Sequence, residues 1–161
     1  MNVLGMSATI TVLLVACGPP RHDRALDILE SNPAGQFGGV AWEMSKATVK
    51  QSGTDGGGSL SVKLFGVPVA DCASSSPDAG YILFSMPAKV GKRPLQLSLS
   101  DLTDPDNQTI TFVTPPSSNN ISVDGIINLT ELTSTSVTMG LLAKAGKTTD
   151  VNGTFTANLC P

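Results

Sequence analysis

Residues 137–159 read VTMGLLAKAGKTTDVNGTFTANL, and this stretch decides the class of the fold. In both of its halves apolar residues alternate with polar or small ones: Val137, Met139 and Leu141, then Phe155, Ala157 and Leu159. Successive side chains of a strand point to opposite faces, so this period of two predicts two strands with one buried and one solvated face each.

Similar segments recur from Gly38 onward and predict about eight strands in all: 40–49, 60–64, 81–86, 95–99, 109–113, 121–129, 137–141 and 155–159. Turn-forming residues separate them at 54–58, 74–80, 87–94, 101–107 and 115–120. None of these intervals has room for a crossover helix, so neighbouring strands should be mostly antiparallel. We therefore expect an all-β fold over residues 38–161, a single antiparallel β-sandwich of the Ig-like or jelly-roll-like kind, with Leu97 and Phe155 in its core.

The composition excludes several classes of protein. Only 14% of the 161 residues are charged, and 16 Gly and 11 Pro rule out a coiled coil. A formal net charge of −3 argues against nucleic acid as a partner, because nucleic-acid-binding surfaces are usually basic.

The N-terminus has the features of an export signal. Residues 3–16 carry no charge, and Cys17 follows them directly. Fourteen residues are too few for a membrane span, which needs about 20, but they suit the apolar region of a secretory signal. The other interpretation of this run is a buried strand or helix of the core.

The end of the run, Leu14-Val15-Ala16-Cys17, resembles the lipobox of bacterial lipoproteins. The resemblance implies a signal peptide over residues 1–16, cleavage before Cys17, and lipidation of the Cys17 thiol, usually followed by a further acyl chain such as palmitate. It departs from such signals in one respect, since only Met1 and Asn2 precede the apolar run and neither is basic. Gly18, rather than Asp, follows the cysteine, which in the enterobacterial pattern points to the outer membrane.

Residues 17–37 are expected to form a flexible tether. Gly18, Pro19 and Pro20 cannot continue a helix, and the short apolar pattern at 23–30 is marginal as a helix on its own. A tether of about 20 residues would have a root-mean-square reach of about 25 Å.

If Cys17 carries lipid, two cysteines remain, Cys72 and Cys160. In an oxidising compartment two such thiols tend to pair, so we expect a structural disulfide between them. The alternative is two separate buried thiols. A zinc site is disfavoured because two cysteines and one distant histidine cannot fill four positions.

Few residues are suited to catalysis. The only histidine, His22, falls in the expected tether, away from any rigid scaffold that could position a general base. The acidic cluster at 101–107 has oxygen ligands that suit Ca²⁺, but Asp, Pro and Asn are also common turn formers. Trp42 has two interpretations, core packing and carbohydrate stacking. We expect no catalytic residue, metal or cofactor.

Two functional hypotheses follow. The first is a non-catalytic protein of the bacterial cell envelope, held to the membrane by its lipid anchor and facing the periplasm or the cell surface. Its domain would present loops, foremost 54–58, 74–80 and 101–107, to a protein or polysaccharide partner. The alternative is a small envelope hydrolase that depends on carboxylates, with or without Ca²⁺. Absence of a recognisable enzyme motif favours the first.

Overall fold

The computed structural model describes residues 27–53, 58–72, 79–102, 107–115 and 118–161. Within these ranges the chain forms eleven strands, more than the eight expected. They are β1 (Ala34–Phe37), β2 (Val40–Glu43), β3 (Lys46–Ser52), β4 (Ser59–Phe65), β5 (Tyr81–Pro87), β6 (Gly91–Pro94), β7 (Ile110–Thr114), β8 (Ser118–Ser122), β9 (Asp124–Leu132), β10 (Ser136–Lys144) and β11 (Asp150–Cys160).

The all-β class is confirmed, but the two-sheet sandwich is wrong. All strands belong to one strongly curled sheet with the shape of a half-barrel and the order β6-β9-β10-β11-β3-β4-β5-β7-β8, with β1 beside β11 and β2 beside β1. The sheet is also mixed, because β11 pairs with β3 in parallel, whereas the other pairs are antiparallel. The physical reason is the length of β11. Its eleven residues pair with β10 and β1 along most of the strand and with β3 at the end, so one strand joins both parts of the sheet.

The core lies inside this curl and follows the alternation expected from the sequence. Val137, Met139 and Leu141 of β10 are fully buried, and Phe155 of β11 is 5% exposed. Leu60, Val62 and Leu64 of β4 are buried as well and belong to the same cluster. Burial of one face of the long strands against the opposite part of the curl is the main stabilising contribution.

The predicted strand over 95–99 is wrong. Leu95 is buried, but Leu97 is 37% exposed and Leu99 is 82% exposed, so Leu97 is not a core residue. The strand in this region, β6, lies earlier in the chain, and Gln96 forms only an isolated bridge with Gln108. Beyond Gln96 the chain leaves the sheet, which ends the period of two.

Two other predicted strands are each divided. Residues 40–49 contribute β2 and β3, and residues 121–129 contribute the end of β8 and most of β9. The segments expected as turns at 87–94 and 115–120 contain β6 and the start of β8. Both are terminal strands of the sheet order, and an edge strand tolerates a proline such as Pro94 and polar residues such as those of β8.

The expected tether at 17–37 needs a correction in its second half. Residues 27–37 pack on the sheet: Ala34–Phe37 is β1, and Phe37 is 8% exposed. The N–H of Leu29 donates to Oδ1 of Asn152 at 2.9 Å, and Oγ1 of Thr154 donates to the carbonyl of Leu29 at 2.9 Å. The expectation of a tether therefore applies only to residues before Asp27, which lie outside the described residues.

Candidate functional site

The most distinctive feature of the sheet is a gap along one edge of β11. On the side away from β10, Asp150, Val151 and Asn152 pair with β1. The N–H of Thr154 then donates to the carbonyl of Ser31 at 2.8 Å. Strand pairing on this side resumes only at Leu159 and Cys160, with β3. In the part of the chain that the structure describes, residues 155–158 have no strand partner on this side.

The opposite wall of the gap is the start of β3. Continuing the parallel register from Leu159 and Val49 would place Ala157 beside Ala47 and Thr156 beside Lys46, but the pairing stops before them. The two strands diverge and leave a groove of about 330 Å³, lined by residues 44–47, 71–72, 156–158 and 160. This volume lies at the lower end of the range for ligand pockets.

A disulfide closes one end of the groove. Cys72 and Cys160 are bonded, with their Cα atoms 5.5 Å apart, which confirms the pairing expected from the cysteine count. Cys72 has a positive φ of 57°, a left-handed conformation that costs a non-glycine residue about 1–2 kcal/mol. Such a conformation persists where surrounding structure holds it, and here the disulfide ties the turn at residues 71–72 to β11.

The charges at the rim of the groove neutralise each other. Nζ of Lys46 forms an ion pair with Oδ1 of Asp71, and the side chains are 39% and 85% exposed. The hydrogen bond and the positive charge of Lys46 lower the pKa of the Asp71 carboxyl below its ordinary value. Thr156 and Asn158 add a hydroxyl and an amide on the β11 side. The groove therefore offers hydrogen-bonding groups without net charge.

Within the described residues, no group of three His, Cys, Asp or Glu side chains lies close enough to hold a metal ion. His22 and Cys17 lie outside them. The groove contains a lysine, a carboxylate, hydroxyls and an amide, and these groups suit recognition by hydrogen bonds.

The acidic cluster at 101–107 is described at both ends, while 103–106 lie outside the described residues. At 2.7 Å, Oδ1 of Asn107 accepts from the N–H of Ser98. Its Nδ2 donates to the carbonyl of Asp101 at 2.9 Å. The side chain of Asn107 thus links the two ends of the segment, as its interpretation as a turn predicts.

The flanking residues show which of the three candidate loops share an end of the sheet. Ser52 and Ser59, which flank 54–57, pair with each other, and Ser59 also pairs with Pro87 at the end of β5. Gln108, which follows 103–106, donates from Nε2 to the carbonyl of Ser85 at 2.9 Å, near the same end of β5. Gly80, which follows 73–78, lies at the opposite end of β5. The described flanking residues therefore place both ends of loops 54–58 and 101–107 at one end of the sheet, whereas loop 74–80 ends at the other.

Trp42 is partly buried and packs against the core, as one of its two interpretations predicts. Its ring lies 5.2 Å from that of Phe37 in an edge-to-face contact, and its Nε1 donates to the carbonyl of Gly80 at 3.3 Å. Val40, two residues before Trp42 in β2, is 70% exposed. The contacts of Trp42 are thus structural.

Sequence reasoning missed the groove. Lys46, Asp71 and Asn158 come from three distant segments, and no spacing or motif connects them. The signal that could have led there was Cys72 and Cys160, because their bond brings residue 71 to the end of β11.

In the described ranges no helix is long and apolar enough to cross a bilayer. Comparison of the chain with protein-family models, curated proteins and solved structures finds no match.

Proposed function

We propose that this protein is a lipid-anchored component of the bacterial cell envelope whose β domain binds a partner and does not catalyse a reaction. The Cys72–Cys160 disulfide is the observation that carries the proposal. Disulfides persist in oxidising compartments, so this one favours an exported protein. It also leaves Cys17 as the one remaining cysteine of the sequence, at the position that the lipobox resemblance assigns to the lipid.

The membrane anchor follows from Leu14-Val15-Ala16-Cys17. Each buried methylene contributes about 0.8 kcal/mol to membrane binding, and two or more acyl chains make an anchor stable. The partner is a protein or polysaccharide of the envelope, and Gly18 after the cysteine favours the outer membrane. The groove between β3 and β11 supports the binding role, because it combines hydrogen-bonding groups with a rigid frame of strands.

Replacement of Cys17 tests the anchor. Cys17→Ser should block lipidation, so unprocessed precursor should accumulate, labelled palmitate should not be incorporated, and the protein should leave the detergent phase. Thr11→Ser, a change of similar size within the apolar run, serves as the control and should behave like the wild type. Normal processing and normal detergent partition of Cys17→Ser would overturn the anchor.

The non-catalytic role is tested by turnover. Purified protein should show no hydrolysis of glycan, ester or peptide substrates, with or without Ca²⁺. Reproducible turnover that a single Asp→Asn or Glu→Gln change abolishes would overturn the binding role and favour an envelope hydrolase.

A further inference from the structure

We infer that the groove between β3 and β11 binds an extended peptide segment of a partner protein, which adds to the sheet as a short strand. This role deepens the proposed function and rests on it in one respect, namely that the domain binds a partner and does not catalyse a reaction on it. Its basis is the gap in strand pairing, which leaves backbone edges facing each other across the groove.

The two edges of the groove have the chemistry to bind a peptide backbone. Within the part of the chain that the structure describes, residues 155–158 of β11 pair only with β10, and the first residues of β3 pair only with β4. In an antiparallel strand every second residue directs its N–H and C=O away from its partner strand. Both walls therefore present backbone donors and acceptors to the groove. Another peptide backbone in the extended conformation matches such an array, and strand addition is a recurring mode of peptide recognition.

The gap in strand pairing has the length of a short peptide. It is limited on one side by the hydrogen bond of Thr154 to Ser31 and on the other by the pairing of Leu159 with Val49. Four residues of β11 lie between, and a strand rises about 3.3 Å per residue, so the gap accommodates about four residues of a ligand. The disulfide fixes the closed end, which holds the groove in shape before a ligand arrives.

The groove carries no net charge, which limits the kind of peptide it can bind. Lys46 and Asp71 neutralise each other at the rim, and Thr156 and Asn158 are uncharged. A strongly charged segment would gain no electrostatic attraction from this surface. The favoured ligand is therefore a peptide of uncharged residues, recognised mainly through its backbone and thus with modest sequence preference.

The test begins with a phage-displayed library of random linear heptapeptides, selected on the full processed protein in detergent. Affinities of the enriched peptides are then measured by fluorescence polarisation for the wild type and two variants. Asn158→Trp places a large side chain on the β11 wall of the groove. Ser61→Trp, the matched control, makes the same kind of change at an exposed position of β4 outside the groove.

We expect enriched peptides to bind the wild type and Ser61→Trp equally and Asn158→Trp at least tenfold more weakly. Methylation of alternate backbone nitrogens of the peptide should also weaken binding at least tenfold, because it removes the donors of the added strand. Circular dichroism of both variants establishes that they are folded.

Three results would overturn the inference: no peptide enriched, equal binding to all three proteins, or equal binding of the methylated peptide. Binding of an envelope polysaccharide that Asn158→Trp abolishes, with no peptide bound, would also overturn it. None of these results affects the behaviour of Cys17→Ser, so failure of the groove and failure of the lipid anchor are distinguishable.

Discussion

The two sides of β11 are built in different ways. Toward β10 it forms nine registered antiparallel pairs, and most apolar residues of both strands are buried in the core. Toward β3 it forms two parallel pairs, and the Cys72–Cys160 disulfide reinforces that junction. Regular pairing and apolar packing stabilise the first region, whereas the second depends on a covalent bond and leaves room for a groove. The difference indicates that local alternation builds the sheet, and that the cysteines secure the junction that closes it.

Removing the disulfide should have the largest effect and should act on the β11–β3 junction. The bond joins residues 88 positions apart, and loop-closure entropy gives a contribution of about 4–5 kcal/mol to the free energy of unfolding. We expect the Cys72→Ser/Cys160→Ser double variant to lose most of this contribution to the free energy of unfolding, measured by urea denaturation. Hydrogen exchange should rise at Leu159 and Val49 while the β10–β11 pairs remain protected. Equally fast hydrogen exchange along all of β10 and β11 would contradict the distinction between the two sides of β11.

Core truncation comes next, and a pair of leucines gives a matched comparison. Leu95 is 1% exposed and Leu99 is 82% exposed. Leu95→Ala should lower the free energy of unfolding by about 2–5 kcal/mol because it leaves a cavity. Leu99→Ala should change it by less than about 0.5 kcal/mol. Comparable losses in the two variants would restore the continuous strand over 95–99 that the sequence suggests.

These leucines also illustrate what the sequence could and could not predict. Alternation identified β10, β11 and β4 because the strands that pair with them keep them in the sheet. At 95–99 the same alternation is misleading. The N–H of Ser98 donates to Oδ1 of Asn107 rather than to a neighbouring strand. A periodic pattern reports that a segment is able to form a strand, but a partner must be available to pair with it.

The groove illustrates the second limit. Leu159 and Val49 are far apart in sequence, and nothing in either segment indicates that they pair or that the pairing is parallel. The disulfide was predictable because three cysteines, one within a lipobox-like motif, leave a single pair. Lys46 and Asn158 carry no such constraint, so their proximity is a consequence of topology alone.

Two glycines with positive φ allow the tightness of packing between β9 and β10 to be tested. Gly125 has φ +142°, and a Cβ there would collide with the carbonyl oxygen of Leu142. Gly146, with φ +76°, has open space around it. Gly146→Ala should cost about 1 kcal/mol through backbone strain. Gly125→Ala should cost about 1–3 kcal/mol more, because the neighbouring strand must move. Equal losses in thermal denaturation would show that β9 and β10 are less tightly packed there.

The smallest effect concerns the ion pair at the groove rim. Lys46 lowers the pKa of Asp71 below its ordinary value, so the folded state favours the ionised carboxylate. The resulting stabilisation is fully present above the unfolded pKa and is lost as the pH falls through the lower, folded one. It should be slight because both side chains are solvated and salt screens them. We expect Asp71→Asn to match the wild type at pH 2 and to be marginally less stable at pH 6, measured by urea denaturation at low ionic strength. Lys46→Gln should return the pKa of Asp71, followed by NMR, toward its ordinary value; an unchanged pKa in that variant would show that Lys46 is not its cause.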